Sequence, residues 1–308
     1  MAPAQGGHGL HGSGRGPAQA GTPGRGGNAG SRRNAPRRLP RGGPGGPVRG
    51  SGYAAPAAAT SSEVCLMHAA GRTHVGLHRA ANEDSILLMP AIGLFAVADG
   101  MGGHRGGRVA SHMVTGELTR IANELGRALD GEELASSLAD INRKVHQTGQ
   151  ESAELFNMGS TCVAISVMGG RVHLAHLGDS RAYLFRAGKV DQLTSDHRVI
   201  QPMLDRGEIS EDEARTHPMR NVLTRSVGVE ADVAVTRTEV PIQNGDKILL
   251  CSDGLSDLIT PMQLLDTVLA HDDIDELAMG LIDAANAAGG HDNISVVVVE
   301  IGSEAPGD

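Results

Sequence analysis

The 308-residue chain has no tryptophan, two tyrosines and three phenylalanines. Its core must therefore be aliphatic. The aromatic platforms on which single-stranded nucleic acid stacks are missing, so the body of the protein is not read as a nucleic-acid binder. Cysteine is nearly as scarce. Cys65, Cys162 and Cys251 are odd in number, far apart and set in apolar runs, which excludes a disulfide framework or a zinc spacing and reads as buried thiols in a reducing cytosol. The longest apolar stretches lie near residues 91–98 and 296–299, far short of the roughly eighteen residues that a membrane helix needs. The first residues carry Gly and Arg without the apolar core of a secretion signal. Together these absences point to a cytoplasmic monomer with no membrane partner.

Acidic residues are absent from one region: residues 1–60 contain no Asp or Glu, yet hold 17 of the 43 glycines and 8 of the 14 prolines. Such a stretch cannot build a core. Eight arginines give it +8, which against the overall −9 leaves −17 for the rest. An acidic body suits a protein that collects cations. We expect a disordered tail over residues 1–62, one folded domain over 63–302 and a short C-terminal tail over 303–308.

Within that domain, short runs rich in Val, Ile and Leu at residues 93–98, 161–167, 172–177, 182–185, 247–251 and 294–301 read as strands. Between the first two, Val109, Met113, Val114, Leu118, Ile121 and Leu125, then Leu134, Leu138, Ile141 and Val145, recur at helical spacing. Two further helices follow Cys251, one opening at Thr260-Pro261 and one over 274–288 that ends on Gly289-Gly290, a cap-and-proline start and a glycine stop. The order is not a regular βαβ alternation. It predicts an α+β layered domain with mostly antiparallel sheets covered by helices. Residues 193–228 are polar, with a helical stretch at 210–216, and read as a surface insertion.

Three of the apolar runs end on an aspartate and a small residue: Asp99-Gly100, Asp179-Ser180 and Asp253-Gly254; a fourth, Asp292, precedes the last strand. Each Asp-Gly alone is explained most cheaply as a turn in which glycine supplies a positive φ. Together they are carboxylates that one packed domain could gather at one end of its sheets. Gathered carboxylates repel, and hard divalent ions, Mg²⁺ or Mn²⁺, are the natural partners for such oxygen ligands. Upstream, Arg79 precedes Glu83 and Asp84, either as a surface ion-pair cluster or as a planar fork for phosphate oxygens.

Seven segments resemble, in order, the metal-dependent protein phosphatase family, type 2C, in its compact bacterial form. They are Arg79-Ala-Ala-Asn82-Glu83-Asp84, Phe95-Ala-Val-Ala-Asp99-Gly-Met-Gly-Gly-His104, Met158-Gly-Ser-Thr161, His176-Leu-Gly-Asp179-Ser-Arg181-Ala-Tyr183, Leu193-Thr-Ser-Asp196-His197, Leu250-Cys-Ser-Asp253-Gly-Leu-Ser-Asp257 and Gly290-His-Asp292-Asn293-Ile294. The resemblance implies a four-layer α-β-β-α sandwich, two mostly antiparallel sheets flanked by helix pairs. It implies two ions, Mn²⁺ or Mg²⁺, held by Asp99, the Gly100 carbonyl, Asp253 and Asp292, a third held by Asp179 with Asp253, and Glu83 and Asp84 acting directly or through water. Arg79 would bind the phosphate, and residues 196–228 would form a flap beside the site.

The activity implied is hydrolysis of phosphoserine and phosphothreonine by a metal-activated water, with phosphorylated proteins, and Ser/Thr kinases with their substrates, as partners. A phosphatase dedicated to one regulator of a stress or developmental switch, or an idle metal-binding scaffold, are the alternatives. Three positions depart from the family. Met101 stands where eukaryotic members place a histidine as general acid, so the proton donor is unassigned among His104, His78 and His197. His74 replaces a usual aspartate, and Arg198 follows Asp196-His197 where serine is common.

Overall fold

The computed structural model describes residues 66–102 and 105–302. The 1–62 tail, Cys65, His104 and the 303–308 tail lie outside the described residues.

Two five-stranded antiparallel sheets lie face to face. The chain runs β1 (Leu66–His74), β2 (Ser85–Met89), β3 (Leu94–Ala98) and a short β4 (Gly100–Met101) into α1 (Gly106–Leu125) and α2 (Gly131–Glu151). It returns through β5 (Gly159–Ser160), β6 (Cys162–Met168), β7 (Arg171–Leu177), β8 (Arg181–Arg186) and β9 (Lys189–Gln192). Then come α3 (Gln201–Asp205), α4 (Glu211–Thr216), β10 (Thr236–Pro241), β11 (Lys247–Cys251), a one-turn α5 (Asp253–Ser256), α6 (Pro261–Ala270), α7 (Ile274–Ala287) and β12 (Ile294–Gly302). One sheet is ordered β1-β12-β11-β8-β9 and the other β10-β7-β6-β3-β2, with every neighbouring pair antiparallel.

The apolar runs are continuous because the central strands are covered on both faces. In β3, Phe95 and Val97 point into the core between the sheets, beside Ile165, Leu174, Leu250 and Val297. The alternate residues Leu94, Ala96 and Ala98 meet Val114 and Leu118 of α1 and Leu134 and Leu138 of α2. β12 repeats the pattern, with Val297, Val299 and Ile301 inward and Ile294, Val296 and Val298 packed with Leu277 and Leu281 of α7. Period-two alternation thus serves two cores at once, and the four-layer arrangement follows.

Local signals fix the turns. Gly169 and Gly170, both at positive φ, make the two-residue link between β6 and β7 that matches strand twist. Thr260 caps α6 by accepting from the Gln263 N–H, with Pro261 in the first turn. Asp130 and Glu133 form the same reciprocal box at the start of α2.

Candidate metal and phosphate site

The strand ends named above meet at one end of the sandwich. Asp99 leaves β3 with its backbone clamped: its N–H donates to Thr161 Oγ1 at 3.1 Å, and its carbonyl accepts from the Thr161 N–H at 2.8 Å and from Ser160 Oγ at 3.0 Å. Asp179 follows β7, Asp253 opens α5, Asp292 precedes β12 and Asp84 precedes β2. Burial pushes the Asp99 carboxyl well above its ordinary pKa, and the charges of Asp84, Asp253, Asp179 and Asp292 push it further. Asp99 is therefore close enough to feel each of the other four carboxylates.

The Asp-Gly pairs are not turns. Neither Gly100 nor Gly254 has a positive φ. A β-carbon on Gly100 would collide with the Gly107 carbonyl, and one on Gly254 with the Asn293 carbonyl. Glycine is required there so that backbone can pass close to backbone beside the carboxylates.

Asp84, 4% exposed, has one oxygen committed and one free. Its Oδ2 accepts from Ser295 Oγ at 2.6 Å and Ser252 Oγ at 2.9 Å, whereas the buried Oδ1 has no hydrogen-bond partner. Burial raises its pKa to about 6, against the pull of the two serines. Neither serine stood out in the sequence, although both flank aspartate-bearing segments. Glu83 is half-buried; its backbone N–H donates to Asn293 Oδ1 at 2.8 Å. Asn293 also donates to the carbonyls of Val75 at 2.9 Å and Ala81 at 3.0 Å, so a single buried amide holds the loop that carries Arg79 against the turn that carries Asp292. Arg79, more than half exposed, reaches Asp292 Oδ2 at 2.5 Å.

These donors suit a hard cation. They are carboxylates and a carbonyl, with a buried carboxylate oxygen unpartnered. Among the described residues no three His, Cys, Asp or Glu side chains are gathered tightly enough to enclose an ion by themselves; an ion here would complete its shell with the Gly100 carbonyl and water, the habit of Mg²⁺. Asp179, named for a third ion, has one oxygen engaged by a cation of the chain itself: its Oδ2 accepts from Arg198 Nε at 2.7 Å.

A cleft of about 290 Å³ opens beside the carboxylates, lined by Asp253, Asp257, His291 and Asp292 on one side and by Gln201 and Arg220 from the 196–228 segment on the other. Of the histidines considered as proton donors, His78 packs against His291 with ring centroids 5.1 Å apart and the planes tilted by 38°. His197 is committed elsewhere: Nδ1 accepts from the Gly178 N–H at 3.1 Å and Nε2 lies 2.9 Å from Thr236 Oγ1. Burial, then neighbouring His176, lowers its pKa to about 4.

A family profile described as protein phosphatase 2C matches residues 71–280. The chain belongs to the protein phosphatase 2C family. Among phosphatase 2C relatives, the serine/threonine phosphatase stp of Listeria welshimeri is 38% identical over 241 residues, spanning 76% of this chain and 96% of that protein. The crystal structure of the Mycobacterium tuberculosis serine/threonine phosphatase PstP/Ppp superposes with a TM-score of 0.71 at 36% identity, over 77% of this chain and 99% of that one. A second structure, the catalytic domain of PstP in complex with two manganese ions, gives 0.71 at 35% identity, over 78% and 100%. The α-β-β-α sandwich expected of a phosphatase 2C is thus the one observed.

Proposed function

We propose that the chain hydrolyses phosphoserine and phosphothreonine in phosphorylated proteins, with two divalent ions, Mn²⁺ or Mg²⁺, held by Asp99, the Gly100 carbonyl, Asp253 and Asp292. The observation that carries the reading is the convergence on Asp99 of carboxylates from four other segments, those of Asp84, Asp179, Asp253 and Asp292. A relative of the same fold is described with two manganese ions. When bound, such ions supply an activated water and neutralise charge on the phosphoryl oxygens.

The chain's own residues do the rest. Arg79 rises from its loop with an exposed guanidinium and offers several N–H donors to phosphate oxygens, exchanging Asp292 for the substrate. Asn293 sets the height of that loop above the carboxylates, and positioning of this kind is a large part of catalysis in phosphoryl transfer. Asp84, fixed by Ser252 and Ser295, presents its free oxygen, and half-buried Glu83 lies beside it, both suited to ordering water. Residues 196–228 form the flap over the cleft within a catalytic domain assigned to 63–302. Neither Cys162 nor Cys251 provides a nucleophile, because burial raises both thiols to about 12.

We further assign the protein to the cytosol, as a monomer opposing Ser/Thr kinases. Two buried free cysteines support the compartment, and no helix among the described residues is long and apolar enough to cross a membrane. The test is phosphate release from phosphothreonine and phosphotyrosine peptides with and without Mn²⁺, for wild type, Asp253→Ala and Arg79→Ala. Turnover should require Mn²⁺, favour phosphothreonine, vanish in Asp253→Ala and weaken in Arg79→Ala mainly through KM. Metal-independent turnover, or a fully active Asp253→Ala protein, would sink the mechanism.

A further inference from the structure

Arg198 is the most heavily engaged cation beside the site. Its side chain is 7% exposed, with Nε 2.7 Å from Asp179 Oδ2 and 3.6 Å from Asp196 Oδ2. The terminal nitrogen Nη2 lies 3.0 Å from Asp257 Oδ1 and 3.8 Å from Asp253 Oδ2. Asp196 is already satisfied by Arg181, which grips both its oxygens at 2.9 and 2.7 Å. What Arg198 itself gathers is Asp179, Asp253 and Asp257.

We propose that the Arg198 guanidinium takes the place of a third cation, cross-linking Asp179 to Asp253 and Asp257, so that this chain binds two divalent ions at most. The inference rests on the two-ion reading above and asks what happens at the neighbouring carboxylates.

Geometry supports it on two counts. An ion such as Mg²⁺ sits about 2.0–2.1 Å from its carboxylate oxygens, and Asp179 Oδ2 is occupied by an N–H donor at hydrogen-bond distance. Nor can the guanidinium step aside easily. His197, the residue before it, exchanges two hydrogen bonds with Gly178, the residue before Asp179: the His197 N–H donates to the Gly178 carbonyl at 3.0 Å and Nδ1 accepts from the Gly178 N–H at 3.1 Å. On the other side Arg198 forms a bridge with Leu223, flanked by the Val199 N–H on the Val222 carbonyl at 2.9 Å and the Thr224 N–H on the His197 carbonyl at 2.7 Å. Asp179 and Arg198 are thus held in register by the backbone. The arginine is fixed, always charged and shaped to bridge carboxylates, which are the services an exchangeable ion would render.

The test counts ions by equilibrium dialysis with elemental analysis, up to millimolar Mn²⁺, for wild type, Asp179→Asn, Arg198→Ser and the double variant. Folding of each is checked by circular dichroism. Wild type and Asp179→Asn should both saturate at two ions; Arg198→Ser should gain one more, and the double variant should lose that gain. Arg198→Lys, which keeps the charge, should stay at two. A wild-type third ion that Asp179→Asn removes would overturn the proposal. So would a folded Arg198→Ser protein that stays at two. Should Arg198→Ser fail to fold, the wild-type and Asp179→Asn pair decides alone. Binding of no ion by wild type would overturn the two-ion reading and this proposal with it, an outcome distinct from a count of three.

Discussion

Replacing Asn293 with alanine removes three hydrogen bonds at once and leaves the Val75 and Ala81 carbonyls and the Glu83 N–H without their partner. Asn293 is only 5% exposed, so water cannot replace the amide without entering the loop. At about 1 kcal/mol net for each hydrogen bond, with a spread of about half either way, the loss is about 2–4 kcal/mol. For a domain of this size, that lowers the melting temperature by roughly 5–12 °C. The loop concerned carries Arg79, and displacement of a phosphate-positioning group by about 1 Å costs up to about 100-fold in rate. We therefore expect kcat/KM on a phosphothreonine peptide to fall about 10- to 100-fold. Calorimetry in EDTA separates the structural effect from any effect on metal binding. A melting temperature within about 2 °C of wild type, or a stability loss without any loss of kcat/KM, would refute the view that this amide sets the Arg79 loop.

The buried Arg181–Asp196 pair, two-pronged at 2.9 and 2.7 Å, predicts that Arg181→Ala costs about 3–5 kcal/mol by urea unfolding, because Asp196 is left charged and buried; a loss below about 1 kcal/mol would contradict that. Asp84 has a folded-state pKa raised to about 6. In the metal-free protein it therefore opposes folding increasingly as pH rises from its unfolded value through about 6. Asp84→Asn removes that penalty, so in EDTA its melting temperature should gain on wild type between pH 4.5 and 7.5, and a constant difference would show that burial does not govern this group. In a Cys65→Ser background, Ellman's reagent should find no reactive thiol in the native protein and two after denaturation, since Cys162 and Cys251 are buried with thiols raised to about 12.

The strands legible in the sequence are those covered on both faces. The runs that become β3, β6, β7, β8, β11 and β12 are mostly apolar because each side of the strand meets a core. The four longer strands that escaped notice, β1, β2, β9 and β10, are the four sheet edges. An edge strand packs less completely and carries polar residues, as in Thr-Arg-Thr-Glu-Val-Pro of β10, so periodicity is diluted by the devices that keep edges from pairing with other chains. At the site, the aspartates were legible because three of them end a hydrophobic run and Asp292 precedes one. The Ser252, Ser295 and Asn293 supports were not: their roles depend on contacts spanning 168 to 218 residues, which no local pattern encodes. The contact of Asp179 with Arg198 was hidden for the same reason. Arg198 showed only as an unusual residue after a histidine, and its charge meaning comes from three carboxylates that the fold brings round it.

The pairing of β1 with β12 along its whole length has a consequence for how the protein is made. Strand β12 sits between β1 and β11, and the turn just before it supplies Asp292 and Asn293. During synthesis from the N-terminus, that sheet lacks the strand joining β1 to β11 until residues near 302 have left the ribosome. Until then β1 has no strand partner and the Arg79 loop lacks the Asn293 amide. The α1–α2 layer and the β2–β3–β6–β7 sheet can form earlier from nearer partners, since closing shorter loops costs less entropy. Active-site assembly is thereby tied to the last strand to emerge, so nascent chains stay inactive until nearly all of the domain has been translated.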